Sequence, residues 1–268
     1  MMLRLDLNME ICNYAVVVLS YNHPDLTSRC LQSLFKISNN LNIYLIHNGS
    51  NVKNKDRLKS EFPFIHHHEI EINIGYSGGA NEGLKLAFQK FDTCLFLTND
   101  TEVLQLPELI PQRFSSVKCL RRNTDHIDSV MGMIDLKKIK LKHLRTWNLN
   151  QNNIYIPGSA FWLNRDLFNQ LNGFDESFHT YWEDVDFSHR ARQNGHDLFY
   201  SEQTVIKHKI GKTCHKDDFY TFYLFQRNRK RFAQKHQLTD FLFWCRFYFE
   251  TLWHSKWRLN KLLGIWND

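Results

Sequence analysis

Residues 14–19, Tyr-Ala-Val-Val-Val-Leu, form an unbroken apolar run. A strand with one face in water alternates apolar and polar residues, so a continuous run predicts a strand buried on both faces, with layers above and below. The run stops at Ser20-Tyr21-Asn22-His23-Pro24, and Pro24 suits the first turn of a helix reaching to about Ser38. A second strand, Asn42 to His47, ends at Asn48-Gly49-Ser50. A helical stretch, a strand near 67–72, the loop Asn73-Ile74-Gly75-Tyr76-Ser77-Gly78-Gly79, helical spacing from Ala80 to Phe91 and a buried strand at 93–97 follow. Strand and helix thus alternate four times in the first hundred residues. This predicts an α/β fold with a Rossmann-like, mostly parallel sheet flanked by helices. Polar residues and glycines gather after the strand ends, where such sheets bind ligands.

Residues 105–153 show no period that assigns an element. Beyond them, a strand at 154–163 is interrupted by Pro157-Gly158, and a short helix at 165–171 stops at Asn172-Gly173. A helix from Glu183 to Asn194 is terminated by Gly195, and strands follow near 198–200 and 205–208. The expected organisation is one main domain over 1–215, divided into a nucleotide-binding half (14–103) and a second half (104–215). Residues 216–268 form a helical extension.

Charge locates the basic character of the chain. The net charge is +6, yet nine Lys/Arg and only two acids lie between Arg227 and Lys261. The positive charge therefore belongs to the C-terminal region, and with no nucleic-acid-binding motif present a nucleic-acid partner is not expected. That region also holds the aromatic run Phe241 to Trp253, a composition suited to an amphipathic helix lying on an anionic membrane surface. The six scattered cysteines form no CxxC pair, and no apolar h-region or spanning stretch is present. A cytoplasmic protein, peripheral on the inner face of the membrane through its C-terminal helices, is expected.

Nine segments in a fixed order resemble the family 2 glycosyltransferases of GT-A fold, above all their bacterial rhamnosyl- and galactofuranosyltransferase-like members. They are VVVLSYNHP (16–24), IHNGS (46–50), NIGYSGGANEG (73–83), LTNDTEV (97–103), PGSAFWLNRDLF (157–168), GFDESF (173–178), YWEDVDFSHRARQNG (181–195), VIKH (205–208) and RNRKRF (227–232). The resemblance implies an inverting transfer from a UDP- or dTDP-sugar to a hydroxyl of a glycan or lipid-linked acceptor, in bacterial surface polysaccharide synthesis.

Roles follow residue by residue. Asp100 matches the last position of the DxD motif, a carboxylate that binds Mn²⁺ or Mg²⁺, the hard cation that offsets diphosphate charge. Thr98 stands where the motif begins with Asp. His208 matches a metal-binding histidine of some relatives. Asp184 matches the base of the ED motif, with Glu183 in support. Acids in the first turn of a helix also favour its macrodipole, which explains some of this cluster without catalysis, Asp186 included. Ser20, Asn22, Asn48, Asn73, Gly75, Gly79, Asn81, Asn99 and Gly158 match donor-binding positions. His47 replaces an Asp that accepts the imide N–H of uracil or thymine. Trp182, beside Tyr181, is expected to floor an acceptor sugar, and Asp175 to line the acceptor side. Rival readings are a sugar nucleotidyltransferase, whose Gly-rich basic loop is replaced here by SYNHPDL, and a transferase-like protein that binds donor without turnover.

Overall fold

A computed structural model describes residues 13–121, 124–148, 153–208 and 219–252, apart from 242 and 246. The amino-terminal elements are β1 (Ala15–Ser20), α1 (Pro24–Ile37), β2 (Asn42–Asn48), α2 (Val52–Glu61), β3 (His66–Ile70), α3 (Gly75–Ala87) and β4 (Thr93–Thr98). Then come β5 (Thr101–Gln105), β6 (Phe114–Arg121), β7 (Ile127–Ser129), β8 (Met131–Asp135), β9 (Lys140–Leu144), β10 (Ile154–Tyr155) and β11 (Ala160–Asn164). The remainder is α4 (Arg165–Gln170), a 3₁₀ turn at Glu176–Phe178, α5 (Glu183–Gln193), β12 (Phe199–His208) and α6 (Phe219–Lys235). Helical backbone resumes within 241–252.

The main sheet runs β3-β2-β1-β4-β11-β6-β12-β5, with β7 on the side of β6. β3, β2, β1 and β4 are parallel, and β6 and β12 share their direction; β11, β5 and β7 run against them. The mostly parallel α/β sheet is the one expected from the sequence. A small antiparallel sheet joins β8 and β9, from the stretch whose pattern assigned no element, to β10.

Every residue of β1 is buried because both faces are covered. Val17 and Leu19 face α3 through Ala80 and Leu84, while Val16 and Val18 face α1 through Leu31 and Leu34. The glycine segment read as a loop is the start of α3. Glycine is a poor helix former, but here it permits contact distance. A Cβ on Gly79 would lie 2.6 Å from Leu19 Cδ1, and one on Gly83 would lie 2.7 Å from Val17 and Ile46 side-chain atoms. The interrupted strand at 154–163 is two strands in different sheets, and the pair near 198–208 is one bulged strand.

A third cluster joins Tyr155, Phe178, Trp182 and Val185 to Phe232 and Ala233 of α6 and to Phe243 and Phe247 beyond it. The C-terminal helices therefore pack directly onto the start of α5.

Candidate active site

Connections leave β1 towards β2 on one side and re-enter at β4 on the other, so the order β3-β2-β1-β4 has its switch point between β1 and β4. Open α/β sheets bind ligands in the crevice outside the strand carboxyl ends at such a point. Ser20, Asn22, Asn99 and Asp100 all follow these two ends. Ser20 Oγ meets Thr27 Oγ1 at 2.8 Å, and Asn99 Nδ2 donates to the same oxygen at 3.0 Å. Asn99 N donates to Leu19 O at 3.1 Å, which ties the two strand ends together. Asn22 adopts left-handed backbone, φ 50°. Its N–H donates to Ser50 Oγ at 2.9 Å, and its Oδ1 accepts from Asn51 and Asn54.

His47, at the end of β2, is fully buried. His67 Nε2 lies 2.9 Å from Phe62 O, which can only accept, so this nitrogen carries the proton. His67 Nδ1 is then a bare acceptor, and His47 Nε2, 3.0 Å away, must donate to it. His47 Nδ1 is left as a lone pair, buried and without a partner. Burial, reinforced by His67, pulls the His47 pKa down to about 4, so the ring is neutral near pH 7.

Asn48, Asn73, Asn81 and Gly79 are held by bonds and packing within the fold. Asn48 donates to Gly75 O at 2.8 Å and Asn73 Oδ1 at 3.2 Å, and accepts from Ile74 N at 3.1 Å. Asn73 Oδ1 also accepts from Gly75 N. Asn81 is buried and bonded to Phe174 N, Phe174 O and Glu176 Oε1, which bolts α3 to the 173–176 turn. Gly79 is a packing glycine against Leu19 and Asn48.

Asp100 and His208 come from segments 108 residues apart. Antiparallel pairing of β5 with β12 sets His208 opposite Thr101, and its Nε2 reaches Asp100 Oδ2 at 3.2 Å. Thr98 Oγ1 donates to Asp100 Oδ1 at 2.7 Å, so the residue in the first motif position orients the carboxylate. Burial pushes the Asp100 carboxyl up, but His208 and the Thr98 hydroxyl outweigh it and hold the group below its ordinary value. One carboxylate beside one imidazole is a donor set that fits Mn²⁺ or Mg²⁺. Among the described residues no third His, Cys, Asp or Glu joins them.

Gly158-Ser159 links this pair to the acids of α5. Ser159 O accepts from Thr98 N at 2.9 Å, and Gly158 N donates to Asp184 Oδ2 at 2.8 Å. Asp184 Oδ1 accepts from Val185 N at 2.8 Å. On the other side of Gly158 lies Tyr76, whose hydroxyl donates to Gly158 O at 2.5 Å; this residue carried no expected role. Burial, with the Glu183 and Asp184 carboxyls nearby, pushes the Tyr76 phenol well above its ordinary value.

Glu183 and Asp184 are neighbours with different surroundings. Glu183 is buried and its Oε2 has no partner, whereas Asp184 is partly exposed and receives two backbone N–H bonds. Burial raises both carboxyls, and the charge of Asp184 adds to the rise at Glu183, which is pushed well above its ordinary value. Of the two, Asp184 is the better placed to carry charge, because the Gly158 and Val185 N–H groups lower its pKa against burial. Asp186 is structural: fully buried, it pairs with Arg190 (2.8 Å), Lys235 (2.8 Å) and His236 (2.9 Å).

The approach to α5 is strained. His179, Tyr181 and Trp182 have φ of 61°, 72° and 73°, and Thr180 N donates to Phe178 O at 2.7 Å, closing a γ-turn of the rare, left-handed kind. Such conformations cost ~1–3 kcal/mol each in non-glycine residues. Trp182 does not floor an acceptor sugar: it is 1% exposed and packs on Phe225 and Phe232 of α6. Its left-handed backbone turns the ring inward. Asp175 accepts from Ser177 N and pairs with Lys235 Nζ at 2.6 Å, and burial notwithstanding these bonds bring its pKa to about 2.

No protein-family model and no curated protein matches this sequence. Solved structures do match in shape. GalNAc-T7 with UDP, GalNAc and Mn²⁺ superposes with TM-score 0.65 at 16% identity, over 85% of this chain and 48% of that one. S. aureus TarS 1–349 in complex with UDP gives 0.52 at 15% identity, over 81% and 65%. Mannosyltransferase PcManGT from Pyrobaculum calidifontis in complex with GDP-Man and Mn²⁺ gives 0.50 at 14%, over 75% and 57%. This chain spans less than two thirds of each of these chains. The sheet order and these superpositions together show that the chain has the GT-A fold.

Proposed function

We propose that this chain is an inverting glycosyltransferase that moves a sugar from a UDP- or dTDP-sugar to a hydroxyl of a glycan or lipid-linked acceptor. The observation that carries the reading is the two-residue bridge Gly158-Ser159, which sets Asp184 on one side and Thr98 with Asp100 on the other. A leaving diphosphate and an attacking hydroxyl need a cation site and a base on opposite sides of one sugar, and the bridge keeps those groups close.

Asp100 and His208 would hold the Mn²⁺ or Mg²⁺, which when bound offsets charge growing on the diphosphate. Asp184 takes the acceptor proton. Each of its oxygens accepts one backbone N–H and keeps a lone pair free, so the proton can arrive without loss of orientation. The acceptor oxygen forms the new bond to the anomeric carbon, and the diphosphate leaves with the electrons of the old one. Ser20, Asn22 and Asn99 border the nucleotide.

The setting proposed is bacterial surface polysaccharide synthesis at the inner face of the membrane, with 1–215 as catalytic domain and 216–268 as extension. Within 241–252, Phe241, Cys245, Tyr248, Phe249 and Leu252 are all exposed and share one helical face at i, i+4, i+7, i+8 and i+11. This aromatic stripe in a basic region suits an anionic bilayer. No helix among the described residues is long and apolar enough to cross one.

The test is binding. Thermal shift with UDP-, dTDP- and GDP-sugars, with and without Mn²⁺, is expected to show a metal-dependent rise for UDP or dTDP donors, because a ligand of the native state alone must raise Tm. A folded protein with no shift for any donor overturns the reading.

A further inference from the structure

The strained segment 178–182 stores conformational energy that something must offset, because non-glycine residues leave the left-handed region when nothing holds them there. The holder is α6. Asn228 is fully buried, and its Nδ2 donates to three carbonyls of the segment: Phe178 O, Thr180 O at 2.7 Å and Tyr181 O at 2.9 Å. Two N–H bonds are thus shared among three acceptors. The amide cannot be reversed, since Arg227 Nε donates to Asn228 Oδ1 at 3.1 Å and so faces the nitrogen towards the loop. Arg227 Nη2 adds a bond to Phe178 O at 3.2 Å, and Arg231 donates to Ser177 O. Residues 227, 228 and 231 share one face of the helix, and that face is spent on loop carbonyls.

The opposite side of the segment is gripped by the first turn of α3. Ser77 N donates to His179 O at 3.1 Å, and Tyr76 N to Thr180 Oγ1 at 3.4 Å. Gly75 has no room for a side chain, as a Cβ would fall 2.5 Å from His179 O. Downstream, Trp182 is the N-cap of α5 and its carbonyl accepts from Asp186 N at 2.9 Å. The path of the segment therefore sets the direction of the turn that carries Asp184.

Packing alone does not require an amide here. Phe232 and Ala233 supply the apolar contact of α6, and a buried Asn is costly unless its bonds are made. We propose that Asn228 is a positioning residue: through the loop carbonyls it holds 178–182 in its strained form and so aims Asp184 at the acceptor hydroxyl. This rests on the assignment of Asp184 as base, and it makes the C-terminal extension a working part of the site.

The experiment compares Asn228→Ala and Arg227→Ala with the unaltered chain, using nucleoside diphosphate release from UDP- or dTDP-sugar with Mn²⁺. Rates are expressed per nucleotide-binding site, which removes any loss of folded protein. Asn228→Ala is expected to lower the rate per site by roughly 10- to 100-fold, since about 1 Å of misplacement costs that order. Donor KM should stay within about threefold, and hydrogen exchange should quicken at 179–186 ahead of the rest of the chain. Arg227→Ala should move the same readouts in the same direction by less, and it carries the test if Asn228→Ala does not fold. Unchanged rates per site in both variants, or faster exchange without a rate effect, overturn the proposal. If Asp184→Asn is as active as the unaltered chain, the base assignment fails; if it is inactive while Asn228→Ala is normal, only the positioning role fails.

Discussion

Asp184→Asn is expected to lower sugar transfer by about 10²–10⁴-fold, the share a general base contributes, while nucleotide binding persists. Glu183→Gln is expected to stay within about tenfold of the unaltered rate. The contrast follows from surroundings rather than position. Glu183 is buried with an unpartnered oxygen, and burial together with the adjacent Asp184 charge pushes its carboxyl towards the neutral form, which a neutral amide resembles. Asp184 is partly exposed and stabilised by the N–H groups of Gly158 and Val185, which makes it the member of the pair that carries charge. Burial raises the Asp184 pKa, and only the ionised form accepts a proton. The rate should therefore climb with pH along an acidic limb displaced above the ordinary aspartate value. Steady-state rates for both variants, with circular dichroism as the folding control, check this. Equal losses would mean that the two acids act as one structural unit.

Asp100→Asn should be nearly as damaging, and through a different term. It removes the one carboxylate of Thr98-Asn99-Asp100 and breaks the 3.2 Å contact to His208. Charge stabilisation by a bound metal is worth several kcal/mol, which corresponds to a loss of about 10²–10³-fold. His208→Ala should cost less and raise the Mn²⁺ concentration needed for half-maximal rate, because the carboxylate remains. Mn²⁺ titrations of rate, and of the thermal shift with UDP, separate the two variants. An Asp100→Asn protein with unaltered Mn²⁺ response would remove Asp100 from the cation site.

Local pattern made much of the fold legible before any coordinates. The run Tyr14–Leu19 could only be a strand covered on both faces, and the four strand–helix alternations led to the parallel half of the sheet. What long-range pairing decides was not legible. β6 gains its meaning from β11 and β12, far along the chain, and no period marks it. The glycines of 75–79 read as a loop on propensity, but close approach of α3 to Leu19 and Asn48 at Gly79 overrides it. Trp182 looked like a sugar platform from composition, because aromatic residues beside acids suggest one. Its φ of 73° turns it into the third core instead, and backbone sign is invisible in sequence. Asn228 lay inside RNRKRF, among basic residues that drew attention to charge, while its buried amide is what meets the loop.

Metal-dependent chemistry on a nucleotide sugar is what the arrangement of Asp100, His208 and Asp184 is proposed to perform. The most direct measurement is release of nucleoside diphosphate from UDP- and dTDP-sugars by the purified chain, in Mn²⁺ and again after chelation. Release in Mn²⁺ that chelation abolishes, and that Asp184→Asn lacks, is the expected result. Binding of donor without release in either condition would contradict it and leave a GT-A fold that holds a nucleotide sugar without transferring the sugar.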